Sequence, residues 1–122
     1  MQLTESETQP NSFYMRMQTD INENVRAILI DWLIGIHAKF KLLPETLYLT
    51  VNIIDRYFSM FQVKKSEVQL VGITALLITT KYEEIYPPTV KDFIYLTDNT
   101  FTRQQILTME FKILFSLEFD MQ

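Results

Sequence analysis

Residues 24–40, NVRAILIDWLIGIHAKF, carry eleven apolar side chains in seventeen positions at helical spacing. At about 100° of rotation per residue, Leu29, Leu33, Ile36 and Phe40 share one side. Ala27, Ile30, Ile34 and Ala38 share nearly the opposite side, so the pattern predicts a helix covered on two faces. A third strip, Val25, Ile28 and Trp32, borders the first face beside Asp31, Gly35 and Lys39, and is expected to be only half covered. Asp20 and Asn22 are candidate N-caps, and the segment closes around Lys41 to Leu43 before Pro44.

Four more helical segments follow. ETLYLTVNIIDRYFSM starts after Pro44, where helices readily begin, and places Leu47, Val51, Ile54 and Phe58 on one face. Ser66 to Gln69 has the S-x-x-Q form of a capping box and opens a third segment running to about Glu84. That segment is apolar nearly all round, as a buried helix is, and Gly72 and Ala75 would let neighbours approach closely. Pro87 and Pro88 end it. The short VKDFIYL follows, brief enough to be read as helix or strand, and TDNT makes a turn. Thr102 to Gln105 is a second capping box, opening RQQILTMEFKILFSL. No segment shows the sustained alternation of a half-buried sheet, and there is no internal repeat. Residues 1–20 read as an extended or partly helical arm ahead of one domain at 21–122.

Composition narrows the function. With 122 residues, 48% hydrophobic and 13% aromatic, the chain suits one domain with a real core. Its net charge of -4 gives no basic footprint for nucleic acid. Zero cysteines and one histidine make thiolate chemistry and a metal site improbable. The longest strongly apolar run, LVGITALLI, is too short to cross a bilayer, so no membrane partner is expected. Two glycines cannot build phosphate cradles, and the familiar hydrolase and metalloprotease signatures are missing. Glu83 and Glu84 diverge by about 100° on a helix and form no paired acid site. His37 is expected to be a hydrogen-bonded or partly exposed structural residue. Arg26 to Leu29 fits a minimal R-x-x-L degradation motif, a chance match inside a helix. No catalytic residue and no cofactor is expected.

Charges set among apolar residues are more telling, because a buried charge is costly unless paired. Arg26, Asp31, Asp55, Arg56, Lys81 and Glu110 are such charges. Internal pairs or solvated faces account for Asp31 and Arg56; others can await a partner protein.

Four blocks, NVRAILIDWL, LLPETLYLTVNIIDRYFS, VQLVGITALLITTKYEEIYPP and FIYLTDNTFTRQQILTMEFKILFSLEFD, closely resemble the N-terminal cyclin box of mitotic cyclins, the B type more than the A type. The likeness runs from about Tyr14 to the end of the chain in matching order and spacing. It implies an all-α, five-helix domain whose third helix is central, with the first helix packing inward and partly toward its neighbours.

The resemblance also implies roles for individual residues. Arg26 and Asp55 match an internal, architectural ion pair. Lys81 and Glu110 match a lysine and a glutamate that reach a cyclin-dependent kinase, and Tyr82, Glu84, Ile85, Leu114 and Phe119 match positions around them. Val25, Ile28 and Trp32, with Gln69, match a hydrophobic patch that docks substrates and inhibitors carrying an arginine-x-leucine motif. Two positions depart from the pattern: Val25 stands where the family usually has methionine, and Gly35 where an acidic residue often meets the motif's arginine. The chain stops where the family continues into a second box, and it is expected to be a fragment or short form.

The implied function is that of a catalytically inert regulatory subunit that activates a cyclin-dependent serine/threonine kinase in cell-cycle control, in nucleus and cytoplasm. The alternative is a cyclin-fold scaffold or transcription-related adaptor that activates no kinase.

Overall fold

A computed structural model describes residues 22–120, with side chains through Leu117. The expected arm at 1–20 lies outside the described residues. Five α-helices follow in order: α1 Glu23–Lys39, α2 Pro44–Met60, α3 Val68–Glu83, α4 Val90–Leu96 and α5 Arg103–Asp120, with a 3-10 turn, Lys65–Glu67, ahead of α3. The segment VKDFIYL is therefore helix.

α3 is central. It touches each of the other four helices, and its residues from Leu70 to Leu77 are all buried. Its all-round apolarity thus has one physical cause: no side of it faces water. Gly72 shows how closely α1 approaches, since a Cβ there would stand 2.6 Å from Leu29 Cδ1. Between α2 and α3, the buried hydroxyls of Thr50 and Thr79 meet at 2.6 Å, so these two polar side chains satisfy each other in the core.

α1 is covered on one side only. Leu29, Leu33 and Ile36 are buried, while Ala27, Ile34 and Ala38 are not, with Ile30 half-buried. The two-sided expectation is corrected for a geometric reason: α3 and α2 occupy one flank, and no described element stands on the other. Asn22 caps α1, its Oδ1 accepting from Val25 N–H at 2.9 Å; Asp20 lies outside the described residues.

The helix ends follow local chemistry. α1 stops in two reverse bonds, Lys41 N–H to Ala38 O at 3.2 Å and Leu42 N–H to His37 O at 3.1 Å, with Lys41 in the left-handed region at φ 54°. Pro44 opens α2 at its first turn. The Ser66 capping box does not form: Ser66 sits inside the 3-10 turn and α3 has no side-chain cap. The Thr102 box does, through Gln105 N–H to Thr102 Oγ1 at 3.1 Å and Thr102 N–H to Gln105 Oε1 at 2.8 Å. A third box, Thr89 with Asp92, caps α4 and was not anticipated from sequence. Asp98 and Asn99, at φ 57° and 59°, turn the chain after α4, where short polar side chains tolerate left-handed backbone.

Candidate functional site

The first surface lies where α3 ends beside α5. Lys81 Nζ is 2.8 Å from Glu110 Oε2, with side-chain exposures of 49% and 14%. The two residues expected to reach a partner therefore meet each other, and the pairing explains how Glu110 tolerates its half-buried position in an apolar helix. An ammonium carries three donors, so Lys81, the more exposed of the two, can keep this bond and still point N–H groups outward. Around the pair, Tyr82 is 84% exposed, Ile85 85% and Leu114 46%. Tyr86, which the sequence reading passed over, is 91% exposed. It lies between Ile85 and two prolines, in the connection after α3.

Glu84 has bonds inside the domain. Its Oε2 accepts from Leu43 N–H at 2.7 Å and from Thr46 Oγ1 at 2.5 Å, so it caps the N-terminus of α2, where an anion is favoured by the helix dipole. The resemblance groups Glu84 with the partner-facing positions; its carboxylate also bonds within the domain, at a helix start that has no side-chain cap of its own. His37 supports the same corner, with Nε2 2.8 Å from Leu43 O, a contact that needs the proton on Nε2. Phe119 lies beyond the described side chains.

The second surface is a groove of about 360 Å³ between α1 and the start of α3, walled by Val25, Ile28, Leu29 and Trp32 on one side and by Val68 and Gln69 on the other. Ile28 is 70% exposed and Trp32 half-buried, so the third strip of α1 is half covered, as its flanking polar residues indicate. Val25 and Gln69 also line the groove. Gly35 does not, and a Cβ added there would meet nothing within 4 Å. Lys65, on the 3-10 turn, completes the wall; sequence reasoning missed it, since a lysine in a polar connection carries no mark of what it borders.

Arg26 and Asp55 form an ion pair. Arg26 Nε donates to Asp55 Oδ1 and Nη2 to Oδ2, each at 3.0 Å. This bidentate fork ties α1 to α2. Arg56 Nε donates to Asn52 Oδ1 at 3.2 Å, and Asp31 is exposed. Among the described residues no cluster of His, Cys, Asp and Glu could hold a metal, and no helix is long and apolar enough to cross a membrane.

Comparison with known proteins agrees with the all-helical fold. The family described as "Cyclin, N-terminal domain" matches residues 1–122. The chain is 60% identical over 114 residues to Cyclin-B1-2 of Arabidopsis thaliana, covering 93% of this chain and 25% of that one. It is 51% identical over 112 residues to Cyclin-A1 of Mus musculus, covering 92% and 27%. A viral cyclin from herpesvirus saimiri superposes with a TM-score of 0.81 at 29% identity, over 97% of this chain and 52% of that one. The chain thus spans about a quarter of the length of the first two relatives. The chain belongs to the cyclin family, matching its N-terminal domain in the form found in mitotic, B-type and A-type cyclins.

Proposed function

We propose that this domain is the kinase-facing part of a regulatory subunit that binds and activates a cyclin-dependent kinase in the cell cycle, in nucleus and cytoplasm, without catalysing a step itself. The observation that carries this reading is the exposed apolar rim of Tyr82, Ile85 and Leu114 around the Lys81–Glu110 pair. Exposed large apolar residues beside a half-buried charge are what a protein interface presents before its partner arrives. Kinases of this type switch by the position of their αC helix, whose glutamate must reach the active-site lysine. A rigid two-helix surface from α3 and α5 would hold that helix inward and bias the kinase toward its active state. The domain supplies binding energy and the kinase supplies the chemistry.

The groove on α1 has a separate role in this reading: docking substrates and inhibitors through an arginine-x-leucine motif. Its apolar walls suit the leucine, and Trp32 offers a rigid aromatic anchor.

The test is co-purification of the chain with candidate cyclin-dependent kinases, followed by phosphorylation of a histone-type substrate. Complex formation with stimulation of the kinase is expected. Stable binding without stimulation would favour the scaffold reading, and no binding to any such kinase would overturn the assignment.

A further inference from the structure

Two residues beside the Lys81–Glu110 pair stand on a segment with little support of its own. Ile85 is 85% exposed and Tyr86 91%, and among the described residues no backbone bond joins residues 85–88 to the rest of the fold. Pro87 and Pro88 hold φ near −65° and bias the residue before each of them toward extended backbone. The segment is therefore stiff but loosely held, and its direction is set where it is attached. At one end is Thr89, which caps α4. At the other is Glu84.

Glu84 leaves α3 at φ −94° and ψ 143°, with its N–H bonded to Thr80 O at 2.9 Å. Its carboxylate then reaches to the start of α2, where Oε2 accepts from Leu43 N–H at 2.7 Å and from Thr46 Oγ1 at 2.5 Å. Thr46 is fully buried. Leu43 is held from its other side by His37, whose Nε2 is 2.8 Å from the Leu43 carbonyl oxygen. The peptide that receives Glu84 is thus itself pinned to α1.

We propose that Glu84 is a positioning residue for the kinase-facing rim: its two bonds to the start of α2 set the direction in which Ile85 and Tyr86 are presented. Thr46 shares that role from inside the domain, where no partner can touch it. The inference rests on the kinase-facing reading of the rim. Hydrogen bonds to a carboxylate are stronger than those between neutral groups, so the fork is a firm attachment. Without it, the stiff segment swings about the Glu84 backbone and has to be ordered again when the kinase arrives, which weakens binding.

The chain has no cysteine, so one nitroxide label on Tyr86→Cys of the full chain reports the motion of the segment by electron spin resonance. Thr46→Val nearly keeps the shape of the side chain and removes the hydroxyl, Thr46→Ser keeps the hydroxyl, and Glu84→Ala removes the fork. Label spectra should sharpen in Thr46→Val and Glu84→Ala and match the parent's in Thr46→Ser. Without the label, Thr46→Val and Glu84→Ala should each weaken binding of a cyclin-dependent kinase by about tenfold. The two together should lose no more than either alone, and Thr46→Ser should bind as the parent does. Circular dichroism checks that each variant is folded at the temperature used; should Thr46→Val unfold, the label in Glu84→Ala decides. Spectra alike in all variants would overturn the inference, whether or not the parent binds a kinase. Loss of affinity in Glu84→Ala alone would overturn it too, and would give Glu84 a direct contact with the kinase. A parent that binds no kinase would remove the kinase reading and leave the spectra to decide what Glu84 and Thr46 position.

Discussion

Arg26 and Asp55, 29 positions apart, close a two-bond fork of 3.0 Å and 3.0 Å between α1 and α2 while keeping 22% and 27% of their side-chain surface in contact with solvent. The pair is neither a surface bridge nor a dry one. Exposed pairs contribute about 0–1 kcal/mol, and breaking a buried one costs about 3–5 kcal/mol. Asp55→Ala is therefore expected to destabilise the domain by about 1–3 kcal/mol, between those limits, read as a lower midpoint in urea unfolding at constant slope. A midpoint equal to the parent's would show that the fork contributes nothing net.

The Lys81–Glu110 contact makes the kinase-face prediction sharper than two single substitutions could. Lys81→Glu and Glu110→Lys each break the internal pair and reverse a charge at the surface, and each should weaken kinase binding by about 2–5 kcal/mol. The double exchange restores the internal pair with its polarity reversed. Its thermal stability should recover while kinase binding stays lost. Recovery of both would mean that the pair only holds α3 to α5.

Trp32→Ala should abolish binding of an arginine-x-leucine peptide and leave activation on a short peptide substrate intact, because the groove and the α3–α5 rim share no residue. Gly35→Glu adds a carboxylate in open space on the helix that carries Trp32, outside the groove's lining. It should tighten the same peptide by only about 0.2–1 kcal/mol, the worth of an exposed pair. Isothermal titration of both variants decides the matter; an unchanged affinity for Trp32→Ala removes the docking role.

Tyr57 sets an alkaline limit. Burial, and secondarily the Glu67 carboxylate, raise its hydroxyl above the ordinary value of 10.0. A raised folded value means that the unfolded chain releases its proton first, so the contribution to stability is complete below about pH 10 and is lost as pH rises from there through the folded value. Tyr57→Phe should flatten that loss. In an absorbance titration at alkaline pH, Tyr57 should ionise above the ordinary value of 10.0, and the substitution should remove that late component.

Much of this was legible along the chain because it depends on neighbours in sequence. Asn22 and Thr102 cap helices through residues three positions away, and the all-round apolarity of 70–77 dictates a central helix wherever the other four lie. The strip Val25, Ile28 and Trp32 announced itself through its spacing and its polar border. What the tertiary structure alone decided are the long-range choices. Whether the second stripe of α1 met protein or water depended on which flank α2 and α3 occupied. Glu84 went to the bare N-terminus of α2, 41 positions from Leu43, and Lys65 came to the wall of a groove whose other side is Trp32, far upstream on α1. Lys81 and Glu110 were each marked in the sequence as costly charges, yet their pairing across 29 positions required α3 and α5 to pack side by side. Periodicity and capping are fixed by hydrogen bonds within a few residues, whereas partners for isolated charges are fixed only when helices distant in sequence are brought into contact.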